Sequence, residues 1–125
     1  MNEKRKVLSV GQCEPDSATL ASFLGKHFSV TIERAKLPAE AIEKLGAGRH
    51  DLVLINRKLD EDYSDGVEIL KAIKKDERLA KTPVMIVSNH ADAQQEAVSL
   101  GAEYGFGKLE YQKPETVERL KKFLA

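Results

Sequence analysis

The chain has 125 residues, with 20 Lys+Arg against 20 Asp+Glu and a formal charge of zero. That length suits one domain, residues 1–125, able to bury about two-thirds of its unfolded surface, and is too short for a barrel of eight βα units. A composition 42% hydrophobic and 32% charged excludes a disordered chain, and balanced charge removes the electrostatic case for binding nucleic acid or anionic membranes.

In chain order, short apolar runs alternate with segments of helical spacing. Val7-Leu8-Ser9-Val10 predicts a first strand. Leu20, Phe23, Leu24 and Phe28 then fall on one helix face, with Pro15 suited to the first turn. Ser29-Val30-Thr31-Ile32 alternates and suits a strand near an edge, and Ile42 and Leu45 mark a second helix ending near Gly46 and Gly48. Leu52-Val53-Leu54-Ile55 is wholly apolar, as a strand buried on both faces must be. Val67, Ile69, Leu70 and Ile73 carry the third helix, with Asp65 and Glu68 at capping-box spacing. Val84-Met85-Ile86-Val87 is the fourth strand, and Asp92 with Gln95 starts a fourth helix that stops at Gly101. Tyr104-Gly105-Phe106-Gly107 is a fifth strand leading to Lys108, and Pro114 opens a fifth helix with Val117, Leu120, Phe123 and Leu124 inward. Five βα units with right-handed crossovers predict an open parallel sheet covered by helices on both faces.

In such sheets ligands bind beyond the carboxyl ends of the strands. The residues there are Gly11, Gln12, Cys13 and Glu14 after the first strand and Asn56, Arg57 and Lys58 after the third. Ser88, Asn89 and His90 follow the fourth, and Lys108 the fifth. With Asp51 to Asn56 continuing to Asp65-Gly66, Thr82 to Ser88, and Gly101-Ala102-Glu103-Tyr104 leading to Lys108, nearly the whole chain resembles the receiver domain of two-component response regulators. The resemblance implies the chemotaxis-regulator-like, flavodoxin-like (βα)5 fold, with strand order 2-1-3-4-5. It also implies an aspartate at the end of the third strand phosphorylated by a histidine kinase, two acids holding Mg²⁺, a Ser/Thr binding the phosphoryl group, and a pairing lysine.

Residue by residue, Ser88 and Lys108 match that pattern, and the rest departs from it. The phosphoacceptor position is Asn56, whose neutral amide is no phosphorus nucleophile. The acidic pair is replaced by Gly11 and Gln12, so Mg²⁺ binding is expected to be weak or absent. Asn89 stands where a small residue is usual, Gly105 where the aromatic switch lies, and Leu109 where a proline follows the lysine. The segment from Asn56 to Gly66 is longer than usual. Facing an amide instead of carboxylates, Lys108 needs another partner, for which Glu14, Asp60 and Asp62 are the candidates.

Other chemistries lack their marks. Read as a calcium loop from Asp60, the turn glycine falls on Asp65 and the bidentate acid on Lys71. His27, His50 and His90 are too scattered for a metal site, and Ser88 with His90 lacks an orienting third group. Cys13, the single cysteine, allows no internal disulfide, and a reducing, cytoplasmic setting is expected. No apolar run approaches the ~20 residues of a membrane span. There is neither a glycine-rich dinucleotide fingerprint nor a P-loop. The expectation is a stand-alone, non-enzymatic pseudo-receiver without an output domain, binding a histidine kinase or another signalling protein. The resemblance also implies a partner surface, including homodimers, on the fourth helix, fifth strand and fifth helix around Ala97, Tyr104, Phe106 and Val117. The alternatives are a relay receiver phosphorylated at Asp60 or Asp62, and a small anion sensor using Ser88 and Lys108.

Overall fold

Runs that are apolar on both faces dictate a central sheet, and three of them, flanked by two more polar strands, assemble here. A computed structural model of the chain describes residues 4–125. Its elements are β1 (Arg5–Val10), α1 (Glu14–His27), β2 (Val30–Ala35), α2 (Pro38–Ala47), β3 (Leu52–Asn56), α3 (Gly66–Lys75), β4 (Val84–Val87), α4 (Ala91–Ser99), β5 (Glu103–Phe106) and α5 (Pro114–Leu124). A short 3₁₀ turn, Lys108–Glu110, joins β5 to α5. The strands are parallel in the order β2-β1-β3-β4-β5, as expected for a flavodoxin-like (βα)5 fold.

Alternation along β3 sorts the core into two halves. Val53 and Ile55 pack with Leu8, Val10, Leu45, Leu70 and Ile73 under α2, α3 and α4. Leu52 and Leu54 turn the other way, toward Phe23, Leu24, Phe106 and Leu120 under α1 and α5. All four apolar residues of β3 are fully buried. That burial is why the strand reads as an unbroken hydrophobic run.

Element ends differ in places from the sequence reading. Helix α1 stops at His27, and Phe28 is extended backbone beyond it, although its ring still packs in the α1–α5 half of the core. Helix α4 begins at Ala91 after His90, so Asp92 sits in the first turn, where its carboxylate accepts only from the neighbouring Ala93 N–H at 3.0 Å. Strand β5 ends at Phe106, and Lys108 belongs to the 3₁₀ turn.

The loop between β3 and α3 is closed upon itself. Leu59 N–H donates to the Ser64 carbonyl at 2.9 Å, and Gly66 N–H to the Arg57 carbonyl at 2.9 Å. Asp65 then caps α3, accepting from Val67 N–H at 2.9 Å and from the Arg57 guanidinium at 2.5 Å. The capping box does not form: the Asp65 carboxylate takes the second helical N–H, not the third, and Glu68 pairs with Lys71. Asp65→Ala should therefore cost about 1 kcal/mol through the lost cap, lowering the melting temperature by about 4 °C. Thermal unfolding followed by circular dichroism checks this.

Candidate functional site

The carboxyl ends of β1, β3 and β5 converge on a cleft of ≈ 240 Å³ lined by Cys13, Asp16, Asn56, Lys58, Leu59, Asp60, Tyr63 and Lys108. Asn56 is held there by its own amide. Its Nδ2 donates to the Lys58 carbonyl at 2.8 Å and to the Gly11 carbonyl at 3.4 Å. Both partners are acceptors only, so a carboxylate in this rotamer would face two carbonyl oxygens with nothing to donate. The amide is structural cement between the β1 and β3 turns.

Gly11 is fixed by the same corner. It has φ +80, and a Cβ there would lie 2.6 Å from Leu59 Cγ. Leu59 is fully buried beneath it, and Asp60 N–H donates to the Gly11 carbonyl at 3.0 Å. Any side chain at residue 11 would need both left-handed backbone and displacement of Leu59. Gln12 is buried, 6% exposed, and its Nε2 has no hydrogen-bond partner.

Lys108 forms an internal ion pair, but with none of the three acids expected. Its Nζ donates to Asp16 Oδ2 at 2.5 Å. Glu14 pairs with Arg34 at 3.0 Å, and Asp62 accepts from the Ser64 amide and hydroxyl, its carboxyl held below the ordinary range chiefly by that hydroxyl. Asp60 lines the cleft without bonding the ammonium. Asp16 lies in the first turn of α1 and lines the cleft with Lys108, while Glu14 is taken by Arg34 and Asp62 by Ser64. An acid in a helix's first turn is favoured in any case, and that preference was the available signal for it.

The Lys108 hydrogen bond is the main cause holding the Asp16 carboxyl below its ordinary range, and the Cys13 thiol adds to it against the opposing effect of burial. Tyr111, close by, is pushed up to about 12 by burial and by the Asp16 charge.

The remaining site positions diverge from the cleft. The Ser88 hydroxyl accepts from His90 N–H at 3.2 Å, and Ser88 is not among the residues lining the cleft with Lys108. Asn89 Oδ1 accepts from Leu109 N–H at 3.0 Å, tying the β4–α4 loop to the 3₁₀ turn. Beneath them lies a residue the sequence reading missed. Gln94, 2% exposed, donates through Nε2 to the carbonyls of Ile86 and Ser88, at 2.8 and 3.1 Å, and accepts from Gly105 N–H at 2.8 Å. A Cβ on Gly105 would lie 2.4 Å from the Ile86 carbonyl oxygen, so no aromatic ring fits at that position. The neighbouring Tyr104 is 42% exposed, with the Arg119 guanidinium 4.7 Å above its ring. Ala97 and Phe106, expected on a partner surface, are fully buried, and Val117 packs with the α1–α5 half of the core.

No group of three or more His, Cys, Asp or Glu able to hold a metal ion occurs among the described residues, and no helix among them is long and apolar enough to cross a membrane.

A sequence model described as the response regulator receiver domain matches residues 14–124. Among solved structures, a protein described as a response regulator from Chloroflexus aurantiacus shares 19% identity over 97% of this chain and 98% of its own, with a TM-score of 0.81. The receiver domain of a DNA-binding response regulator from Colwellia psychrerythraea shares 24% over 95% and 97%, with a TM-score of 0.78. Chemotaxis protein CheY4 of Vibrio cholerae shares 22% over 98% and 100%, with a TM-score of 0.76. No curated protein sequence matches the chain significantly.

The Asp16–Lys108 pair predicts a pH signature. Its side chains are 37% and 32% exposed, so the pair should contribute no more than about 1 kcal/mol. Because the folded carboxyl is held low, that contribution is present at neutral pH and disappears as pH falls through the depressed value. Asp16→Asn should thus be less stable than the parent at pH 7 and converge with it in strong acid. Urea denaturation at both pH values tests this.

Proposed function

This chain belongs to the response regulator receiver domain family, and on that premise we propose that it is a pseudo-receiver, signalling through protein contacts without phosphorylation at residue 56. Its partner would be a histidine kinase or another cytoplasmic signalling protein, for which it acts as adaptor or competitor. The carrying observation is the Asn56 amide, whose two N–H groups are directed at the carbonyls of Lys58 and Gly11. Its nitrogen lone pair is delocalised into the amide, and its donors are already engaged.

The residues present do not suit Mg²⁺, which prefers a charged oxygen shell. At the acidic-pair positions stand Gly11, against which Leu59 is wedged, and Gln12, with its unpartnered Nε2. At residue 56, N–H bonds occupy the carbonyls that a hard cation would seek. No phosphoryl step is therefore assigned to this site.

Two further features support a single fixed state. Lys108 is neutralised by Asp16 within the chain. Gln94 and Arg119 hold Gly105 from both sides, the guanidinium donating to the Gly105 carbonyl at 2.9 Å. Partner binding, homodimerisation included, would then read a surface that does not await a phosphate. An anion sensor built on Ser88 and Lys108 is disfavoured by their separate hydrogen bonds.

Incubating the protein with a small-molecule phosphodonor and Mg²⁺, then measuring intact mass, tests the reading. The expected spectrum is unchanged. A stable adduct of one phosphoryl group, at Asp60, Asp62 or elsewhere, overturns it.

A further inference from the structure

A separate hollow lies beside the cleft, where the start of α1, the end of β2 and the β3–α3 loop meet. Its volume is ≈ 220 Å³, and its wall includes Gln12, Cys13, Arg34, Lys36, Asp60 and Glu61. At about 30 Å³ for each water of liquid volume, that space takes a ligand of about seven heavy atoms.

One part of the wall attracts an anion. Cys13 is the N-cap of α1, yet its side chain caps no backbone N–H, and Pro15 follows at the start of the helix. Both acids of that first turn are already matched, Glu14 by Arg34 at 3.0 Å and Asp16 by Lys108. The positive end of a 14-residue helix is left for an outside charge. Gln12 makes this more than a helix start. It is 6% exposed, and its Nε2, a donor, is buried without an acceptor. A buried donor in that condition destabilises the fold until an acceptor reaches it. Lys36 brings a full positive charge to the same wall.

The other part attracts a cation. Asp60 and Glu61 are adjacent exposed acids of the β3–α3 loop, and Asp60 is anchored at this edge by its N–H, which donates to the Gly11 carbonyl at 3.0 Å. None of the ion pairs among the described residues engages Asp60, Glu61 or Lys36. Arg34, by contrast, is committed to the Glu14 carboxylate and to the Gln12 carbonyl, at 3.0 and 3.4 Å.

We propose that this hollow binds a small free α-amino acid. Its carboxylate accepts from Gln12 Nε2 and faces Lys36 and the start of α1, and its ammonium faces Asp60 and Glu61. A simple anion would also meet two carboxylates, and a simple amine would also meet a lysine. A ligand with both charges matches both parts of the wall. The inference goes beyond the reading of the chain as a protein-contact module, because it adds a small-molecule input at the corner joining β1, β2 and the β3–α3 loop.

The test titrates the ¹⁵N-labelled full chain with each common amino acid in turn to millimolar concentration, following backbone amides by NMR. Acetate and ethylamine serve as the two halves of the ligand. Small amino acids should give saturable shifts at Gln12, Cys13, Lys36 and Glu61, and each half alone should bind at least about tenfold more weakly. Lys36→Gln, and Asp60→Asn combined with Glu61→Gln, should each weaken binding about tenfold. These three positions are exposed, and the spectrum of each variant reports its folding. No shift at this corner with any amino acid, acetate binding as tightly as the amino acids, or unchanged affinity in the variants would each overturn the proposal. Intact mass after phosphodonor treatment is read on the same sample. An adduct with amino-acid binding preserved overturns only the pseudo-receiver reading, and an unmodified chain that ignores every amino acid overturns only the hollow.

Discussion

A single side-chain amide closes the corner on which the candidate site depends. Asn56 stands at the end of β3, whose four apolar residues are fully buried, and its Nδ2 spans from the β3 turn to the β1 turn. A hydrogen bond contributes on the order of 1 kcal/mol net, so the amide has a structural role in its own right. Around it the corner is packed tight. Leu59 fills the space under Gly11, and Asp60 returns a backbone bond to the same glycine. Asparagine, glycine and leucine form one solution to one packing problem. Replacing Asn56 with an acid would leave two carbonyls and a carboxylate facing one another.

The rest of the site follows from that neutral centre. A lysine beside carboxylates would be held by them, but beside an amide it must find its counterion elsewhere. Lys108 turns to the first turn of α1 and takes Asp16. The loop acids are then left to cap and brace their own loop, with Asp65 on α3 and Asp62 on Ser64. On the far side, Gln94 threads between β4 and β5 and occupies hydrogen-bonding groups of both strands. Ring movement through the Gly105 position is sterically closed, and Tyr104 sits outside under a guanidinium. The chain thus keeps the scaffold of its family, with side-chain amides and one ion pair linking the elements around the candidate site.

Much of this was readable from the sequence, and the unread part has a common cause. Strands β1, β3 and β4 announce themselves because burial on both faces leaves runs that are almost wholly apolar, and the neutral residues at positions 11, 12 and 56 are visible as letters. What pattern could not supply was pairing across the fold. Nothing local to Asp16 points to Lys108, 92 residues away. Gln94 looks like any polar residue of an amphipathic helix until β5 presents a glycine to it. Gly11 reads as one more loop glycine, and only the Leu59 side chain shows why a larger residue does not fit there. Phe28 kept its helical spacing beyond the helix end because the core, not the helix, wanted its ring.

The most direct measurement is of the Asn56 side-chain amide itself. In a ¹⁵N-resolved spectrum its two protons should be slow to exchange with solvent, with a scalar coupling across the hydrogen bond to the Lys58 carbonyl carbon. An Asn56 amide that exchanges as fast as an exposed one, and shows no such coupling, would contradict the account at its root.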